Sequence, residues 1–290
     1  MKTILITGGN RGLGFELAAQ LLESNSVGHL VITCRTDQTC ELARSKFSER
    51  LFNKDLPVTF ISMDLSKNDQ VYNAAAELKA NGIKIDVLVN NAAVLHRFSY
   101  SSIGQDTINI NFLHTKLFTD ILLHDDIFND NFRIINISAM LGNMTIIKDK
   151  DIKKTLKECL PENIEMISKE LIYKIDNKHQ IDEIINKDLA IFSEYALSKL
   201  LLNIYTYQLK DNQYIIKKYG AVVAVYPGFI KTDMGTLQAP LEIPEGIKPI
   251  YDLIQLSDID FKKYNGKFLE RHLNELNIYD ESIQFLEYKI

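Results

Sequence analysis

The chain is short of cysteine and has no arrangement of histidines typical of a metal site. It has three cysteines in 290 residues, Cys34, Cys40 and Cys159. An odd number without C-x-x-C spacing indicates neither a disulfide framework nor a zinc cluster. The six histidines have no ligand spacing either. We therefore expect no metal site and a reducing compartment, the cytoplasm.

The chain also lacks a large excess of basic residues and has no long apolar run. These two absences argue against nucleic acid and membrane as partners. The 33 Lys and Arg against 38 Asp and Glu leave a net charge of −5 at pH 7, without the basic excess typical of nucleic-acid binding. No segment approaches the roughly 18 consecutive apolar residues of a transmembrane helix. The apolar run at the start of the chain ends at Gly8, too early for a signal-peptide core. We expect no nucleic-acid partner and no membrane insertion.

The residues present are typical of a globular protein with a large core, since 46% are hydrophobic and 24% charged. The length alone allows one or two domains. Short β-branched runs alternate with stretches of 3.6-residue apolar periodicity, and strands separated by helix-length connections predict a mainly parallel sheet. The predicted class is α/β, a doubly wound sheet with helices on both faces and no dividing linker. The predicted strands span 2–7, 29–34, 58–62, 85–90, 132–138, 221–226 and 267–270.

Two segments interrupt this alternation. Residues 143–190 are rich in Lys, Asp, Glu and Ile, and predict a helical insertion of two or three amphipathic helices divided near Pro161. Its predicted apolar face consists of Ile152, Leu156, Leu160, Ile164, Ile167 and Leu171. Residues 235–263 predict a loop that closes over a ligand, with a short helix at about 249–256. The tail, 271–290, either packs on the domain or binds a partner. We expect one domain over 1–290.

A glycine-rich turn, Thr-Gly-Gly-Asn-Arg-Gly-Leu-Gly at 7–14, follows the first predicted strand and opens the first helix. Gly8, Gly12 and Gly14 permit a tight turn, close approach of backbone N–H groups to a pyrophosphate, and close helix–strand packing. An anion at this point would lie on a helix N-terminus, where free amides and the helix dipole favour it. This position predicts a nucleotide site.

The turn resembles the TGxxxGxG motif of the short-chain dehydrogenase/reductase superfamily, in particular its carbonyl-reductase branch. Further matches follow in order: Asp64-Leu65, Asn90-Asn91-Ala92-Ala93, Asn111, the YxxxK pair Tyr195 and Lys199, and Pro227-Gly228 with Thr232. The resemblance implies a Rossmann-type fold and a nicotinamide cofactor. The implied cofactor-binding residues are Gly8, Asn10, Arg11, Gly12, Leu13, Gly14, Arg35, Asp64, Leu65, Asn90, Ala92, Tyr195, Lys199, Pro227, Gly228 and Thr232.

The end of the second predicted strand favours NADP(H) over NAD(H). NAD sites usually place an acidic side chain here to bind the ribose 2′-OH. This chain has Thr33-Cys34-Arg35 instead, and the planar Arg35 guanidinium suits a 2′-phosphate. Arg11 in the glycine turn supplies a second cation.

Tyr195 and Lys199 are four residues apart, so both can lie on one face of a helix. A tyrosine with a pKa near 10 needs a neighbouring cation to work as an acid or base at neutral pH. We predict that Tyr195 protonates a carbonyl oxygen while hydride reaches the carbon. By resemblance, Asn111 holds a water that links Lys199 to solvent. Tyr214 and Lys218 share the spacing, but not the position that the family gives to the pair.

Two residues depart from the family pattern: Ala93 replaces the glycine of the family's NNAG, and the more important departure is at the end of the fifth strand. The fifth strand ends in Asn-Ile-Ser-Ala-Met-Leu-Gly at 136–142, which puts Ala139 where the second serine of the family binds the substrate carbonyl, and Ser138 on the first. Two hypotheses follow. The first is an NADPH-dependent reductase of aldehydes, ketones or quinones, with Ser138 or water partly replacing the missing hydroxyl. The second is a cofactor-binding scaffold or sensor of little activity, with an assembly partner.

The resemblance also bears on oligomeric state and substrate. In the carbonyl-reductase branch an insertion before the catalytic tyrosine covers the helix face that other members use to dimerise, so we predict a monomer. An epimerase or dehydratase of the extended family would need a larger C-terminal substrate domain. The apolar candidates for the substrate pocket favour an apolar carbonyl compound: Met140, Leu141, Phe229, Met234 and Leu237.

Overall fold

An eight-stranded sheet runs through the computed structural model, which describes residues 1–52, 56–95, 103–176, 181–186 and 192–280. The strand order is β3-β2-β1-β4-β5-β6-β7-β8, parallel except for the β7–β8 pair. The order 3-2-1-4-5-6 is that of the doubly wound Rossmann fold. The strands are β1 (Lys2–Ile6), β2 (Val27–Cys34), β3 (Val58–Ser62), β4 (Ile85–Asn90), β5 (Phe128–Ile137), β6 (Ala221–Val225), β7 (Lys267–Leu269) and β8 (Glu275–Leu276).

Helices connect the parallel strands and cover both faces of the sheet. The first half of the chain contributes α1 (Gly12–Glu23), α2 (Asp37–Leu51), α3 (Asn68–Ala80), α4 (Ile103–Ile108), a π-helical segment (Asn109–His114) and α5 (Thr115–His124). The second half contributes α6 (Lys150–Lys157), α7 (Ile164–Asp176), α8 (Ile181–Ile184), α9 (Ser193–Leu209), α10 (Gln213–Lys217), α11 (Ile243–Gln255) and α12 (Asp258–Lys262). None of the helices in the described ranges is long and apolar enough to cross a membrane.

The core consists of two apolar layers, one on each face of the sheet. Successive residues of β5 alternate between them, so that Ile134 packs with α5 and α9 whereas Ile135 packs with α1 and α11. Strands covered on both faces need apolar side chains at every position, and all five residues of β6 are buried. The predicted doubly wound α/β fold is confirmed.

A buried arginine of β5 holds the far end of α11. Arg133 is 1% exposed, and its two terminal nitrogens donate to the carbonyl oxygens of Leu253 (2.8 Å), Ile254 (3.0 Å) and Leu256 (2.6 Å). It also binds the Asp258 carboxylate at 2.8 Å. These carbonyls have no partner within the helix, so the cation stabilises the C-terminal end of α11.

The insertion packs as an amphipathic layer over α4 and α9 through α7. Its base is closed by pairing of Ile147 with Ile185. Five of the six predicted apolar positions are buried, but Leu160 is 53% exposed. The prediction for Leu160 was wrong because the chain leaves α6 before this residue and turns towards Pro161. Residues 177–180 and 187–190 of the insertion lie outside the described residues.

Element boundaries differ from prediction in the C-terminal part of the chain. Helix α11 begins at Ile243, not near Pro249, because Glu242 and Glu245 form a capping box and Pro244 occupies the first turn. An unpredicted strand, β8, pairs antiparallel with β7. The tail packs on the domain as far as it is described: Ile278 is buried and its carbonyl oxygen accepts from the amide of Met144 at 2.8 Å. Residues 281–290 lie outside the described part.

Candidate active site

A cavity of about 570 Å³ opens at the carboxyl ends of the parallel strands. Each of β1 to β6 ends at this edge, which is where open α/β sheets bind ligands. Most of the predicted site residues line the cavity, although they come from segments far apart in sequence. Those lining it are Gly8, Asn10, Arg11, Gly12, Leu13, Arg35, Asp64, Leu65, Ala92, Tyr195, Lys199, Pro227, Gly228 and Thr232.

The glycine turn has the conformation that its sequence predicts. Gly8 and Gly12 have φ values of +63° and +55°, a region that favours glycine. A Cβ on Gly8 would lie 3.0 Å from the Cα of Ala92, so this turn lies directly against the segment after β4. Gly14 lies outside the cavity lining. A Cβ there would come within 2.6 Å of Asn91 Nδ2, so its part is close packing.

Asn91 holds the glycine turn in place; the sequence motif contains it, but the predicted site residues do not include it. Its Nδ2 donates to the carbonyl oxygens of Thr7 (2.8 Å) and Gly8 (3.2 Å). The Thr7 hydroxyl accepts in return from the amides of Asn91 and Ala92, both at 3.0 Å. The available signal was position, because Asn91 lies between Asn90 and Ala92, which were both predicted to bind cofactor.

Asn90 occupies a buried polar chain and does not line the cavity. Its Nδ2 donates to Thr119 Oγ1 (3.0 Å) and to Asn136 Oδ1 (2.8 Å), and Asn136 Nδ2 donates to Thr206 Oγ1 (2.8 Å). These hydrogen-bonded side chains join β4 and β5 to α5 and α9. A direct contact between Asn90 and cofactor stays a prediction.

The two arginines predicted to bind phosphate differ in their surroundings. Arg35 is exposed, lines the cavity and pairs with none of the described acidic residues. Arg11 also lines the cavity, but its Nη1 lies 2.9 Å from Asp233 Oδ2. The partner comes from the segment after β6 and was not predicted from sequence.

Tyr195 and Lys199 meet in the cavity on one face of α9. Lys199 Nζ lies 5.6 Å from the centre of the Tyr195 ring and donates to the carbonyl oxygen of Ile137 at 2.7 Å. The Lys199 side chain is buried, and burial lowers its pKa from 10.5 to about 7 because desolvation disfavours the charged form. This cation is therefore close to its protonation midpoint at neutral pH.

Asn111 lies in the π-helical segment, and its side chain connects two elements around the site. Its Oδ1 accepts from the amide of Val94 and its Nδ2 donates to the carbonyl oxygen of Val94, both at 2.8 Å. The same Nδ2 donates to Ser198 Oγ at 3.2 Å, and Ser198 Oγ donates to the carbonyl oxygen of Tyr195 at 2.7 Å. The side chain thus braces the start of α9. Its predicted role in holding a relay water stays a prediction.

The missing serine is not replaced by its neighbour in this conformation. Ser138 and Ala139 both line the cavity just beyond the end of β5. The Ser138 hydroxyl, however, is enclosed by protein and has no hydrogen-bond partner among the described residues. A substrate carbonyl could reach this oxygen only after a local rearrangement.

Helix α9 holds the segment that carries Ala139 at both ends. Lys199 binds the carbonyl of Ile137, and one turn later Asn203 Nδ2 donates to the carbonyl oxygen of Gly142 at 2.8 Å. Within the segment, the Gly142 amide donates to the carbonyl oxygen of Ala139 at 2.9 Å. Asn203 is 2% exposed. Sequence reasoning missed it, although it lies four residues after Lys199 and eight after Tyr195.

Part of the cavity wall is apolar. Of the predicted pocket residues, Leu141, Phe229 and Met234 line the cavity, together with Val94, Leu95 and Phe192. Met140 does not line the cavity and packs against the core; Leu237 is 89% exposed. Tyr214, the second YxxxK tyrosine, lies outside the lining and donates to Asp126 Oδ1 at 2.7 Å.

A family model, described as short chain dehydrogenase, matches residues 2–149, just over half of the chain. The chain belongs to the short-chain dehydrogenase family. Members of this family are oxidoreductases, and the matched segment contains the glycine turn, Asn91, Asn111 and the end of β5. The part that carries Tyr195 and Lys199 lies beyond it.

Short-chain dehydrogenases with similar sequences and structures include several reductases. Salutaridine reductase of Papaver bracteatum is 28% identical over 89% of this chain and 91% of its own. The structure of salutaridine reductase from Papaver somniferum superposes with a TM-score of 0.77 at 23% identity, covering 92% of this chain and 99% of that one. An NADPH-bound carbonyl reductase from chicken fatty liver gives a TM-score of 0.63 at 20% identity, over 95% and 98% of the two chains. These two structural matches show a common fold.

Proposed function

We propose that this short-chain dehydrogenase is an NADPH-dependent carbonyl reductase, which reduces an aldehyde, ketone or quinone to the alcohol or hydroquinone. The observation that carries the proposal is the position of Tyr195 and Lys199 in the same cavity as the glycine turn and Arg35. An acid–base pair, a phosphate cradle and an arginine that pairs with none of the described acidic residues, all in one cavity, suit hydride transfer from a phosphorylated nucleotide.

The residues present fit NADPH. Gly8 and Gly12, whose φ values are positive, have no Cβ to fill the cradle, and the backbone amides at the start of α1 suit a pyrophosphate. Arg35 offers the 2′-phosphate a guanidinium free of any described acidic neighbour. Bound NADPH supplies the hydride. Asp64, Leu65 and Ala92 would lie along the adenosine half, and Pro227, Gly228 and Thr232 along the nicotinamide half.

Tyr195 acts as the acid that protonates the carbonyl oxygen. A protonated Lys199 beside it stabilises the phenolate left behind and so lowers the tyrosine pKa. The burial that brings the Lys199 pKa to about 7 lets this lysine take up or release a proton near neutral pH. Asn111 completes the proposed proton path to solvent.

The alanine at position 139 lowers the rate of carbonyl reduction that we expect. A hydrogen-bond donor aimed at a developing oxyanion contributes about 10²- to 10³-fold in rate, and this chain lacks the family's serine at that point. The enclosed Ser138 hydroxyl also favours the second candidate, a cofactor-binding protein of little activity that works as a scaffold or sensor with a partner.

The lining beside Tyr195 favours a neutral, apolar carbonyl compound. Phe192, Phe229, Leu141 and Met234 supply apolar walls, and Lys199 Nζ lies 5.6 Å from the centre of the Tyr195 ring. A charged substrate would lose its hydration there without a partner.

The test is NADPH oxidation with a panel of apolar aldehydes, ketones and quinones. We expect slow turnover by the wild type, near-complete loss in Tyr195→Phe, and a gain of about 10- to 100-fold in Ala139→Ser, if the new hydroxyl supplies part of the missing donor. NADPH affinity should be the same in the wild type and in Ala139→Ser, which changes no residue assigned to the cofactor. Tight NADPH binding with no turnover by the wild type, and no rescue by Ala139→Ser, would establish the scaffold instead.

A further inference from the structure

Arg11, one of the two arginines assigned to a cofactor phosphate, is already occupied by a carboxylate. Its Nη1 donates to Asp233 Oδ2 at 2.9 Å. Both residues line the cavity, and 222 positions of sequence separate them. The pair therefore joins the glycine turn to the segment after β6 across the mouth of the cofactor site.

Asp233 is held in this position by a tight turn, residues 232–236. The Thr232 hydroxyl accepts from the Gly235 amide at 3.1 Å, and the Thr236 amide donates to the carbonyl oxygen of Thr232 at 2.8 Å. Gly235 fits closely here, since a Cβ on it would lie 1.8 Å from the carbonyl oxygen of Ile230. Thr236 has a φ of +65°, a conformation that β-branched residues rarely adopt. The turn is thus specified locally, and it directs Asp233 towards Arg11.

A carboxylate and a phosphate bind a guanidinium in the same way, through charge-assisted N–H···O bonds. Asp233 takes one of the five N–H donors of Arg11, and its negative charge opposes a second anion on the same guanidinium. We propose that Asp233 competes with a cofactor phosphate for Arg11, and that this competition lowers the affinity of the free protein for the cofactor. The inference rests on the proposed function, because it presupposes a phosphorylated nucleotide in the cavity.

The expected effect is moderate because the side chains of Arg11 and Asp233 are 63% and 82% exposed. Exposed ion pairs contribute little, and salt screens them. Removing the competing charge should tighten NADPH binding by about two- to fivefold at low ionic strength. The gain should shrink at high salt.

The experiment is a fluorescence titration of NADPH and of NADH into the wild type, Asp233→Asn, Arg11→Ala and the double variant. Asp252→Asn is the matched control. Asp252 also lies after β6, in α11, and pairs with a lysine, Lys248, at 2.5 Å, but it does not line the cavity. It therefore undergoes the same chemical change and the same change in net charge.

We expect Asp233→Asn to bind NADPH more tightly, with no gain from the same change in the Arg11→Ala background or from Asp252→Asn. A gain confined to NADPH identifies the competing group as the 2′-phosphate, and an equal gain for NADH identifies it as the pyrophosphate. Unchanged or weaker NADPH binding by Asp233→Asn overturns the inference, as does an equal gain without Arg11. If the wild type and Asp233→Asn bind NADPH with the same affinity, this inference fails but the proposed function stands. If none of the proteins binds either nucleotide, the proposed function fails as well.

Discussion

Lys199 combines a proposed catalytic role with a cost to the folded state. Lys199 as a whole is 3% exposed. Its side chain donates a hydrogen bond to the carbonyl oxygen of Ile137. The unfolded chain keeps the lysine pKa near 10.5, whereas burial brings it to about 7 in the folded protein. Between these values the unfolded state binds the extra proton, so stability rises with pH across this window.

Lys199→Met should therefore stabilise the cofactor-free protein at neutral pH while abolishing turnover. Methionine fills similar space without a charge to desolvate, and each pKa unit corresponds to about 1.4 kcal/mol. The gain in melting temperature should be greatest at pH 7 and below, and should shrink towards pH 10. Thermal unfolding at pH 6.5 and pH 10 measures it.

The control is Lys248→Met, since the Lys248 side chain is 73% exposed. It should leave the pH dependence of stability unchanged. A Lys199→Met protein that is less stable than the wild type at pH 6.5, or equally stabilised at both pH values, would contradict the prediction.

Sequence alone identifies the residues whose chemistry and local spacing are distinctive, and misses those that act through a distant contact. Tyr195 and Lys199 share a helix face, and Arg35 directly follows a strand, so local reasoning places them. Asp233 lines the cavity and also pairs with Arg11, 222 positions away. No local pattern around residue 233 carries that information.

At the level of elements, α9 and the end of β5 work as a unit. Lys199 and Asn203 bind the carbonyls of Ile137 and Gly142, and the segment between them carries Ala139 and Leu141 into the cavity. The position of this part of the cavity wall thus depends on α9, a helix that follows the insertion in sequence, whereas β5 precedes it.

Asn203→Ala should lower kcat/KM for the carbonyl substrate by about 3- to 10-fold, mainly through KM, because an unheld Gly142 carbonyl lets the 138–142 segment move. NADPH affinity should stay the same, since Asn203 does not line the cavity. Steady-state kinetics together with NADPH titration give both quantities. Restoring the bond with Asn203→Asp, whose protonated carboxyl can donate, should recover part of the loss at low pH.

Thr206→Val is the matched control for Asn203. Thr206 is buried on the same helix and accepts one hydrogen bond from Asn136, but it holds no part of the 138–142 segment. Loss of one partner of a buried hydrogen bond costs about 1–3 kcal/mol in either variant. An equal rise in KM for both would show that Asn203 acts through stability alone.

Element boundaries were harder to predict than element types. The helix α11 starts six residues before Pro249, because the capping pair Glu242 and Glu245 outweighs the proline as a start signal. The π-helical segment Asn109–His114 leaves no pattern in apolar periodicity, since it shifts the register by a single residue. The first boundary is marked by a side-chain capping pair, and the second by backbone hydrogen bonds; apolar periodicity shows neither.

For the whole molecule, the insertion adds a layer outside helices α4 and α9. Helix α7 packs on α4 and α9 through Ile164, Ile167 and Leu171. If other members use this helix face for dimerisation, as the family resemblance implies, the face is not available in this chain.

We accordingly predict a monomer. Multi-angle light scattering across a range of concentrations should give the mass of one chain, with and without NADPH. A stable dimer or tetramer at micromolar concentration would contradict this, and would mean that association uses a surface other than the face under α7.

The bond from Arg133 to the end of α11 has a consequence for protein engineering. Exchanging the loop over the cavity for that of a relative looks like a swap of one contiguous cassette after β6. Here the end of that segment contains carbonyl oxygens and a carboxylate that accept hydrogen bonds from Arg133. This arginine lies in β5, more than a hundred positions earlier. A graft that changes the end of α11 would leave the buried Arg133 guanidinium without its hydrogen-bond acceptors. Residue 133 therefore has to be exchanged together with the loop.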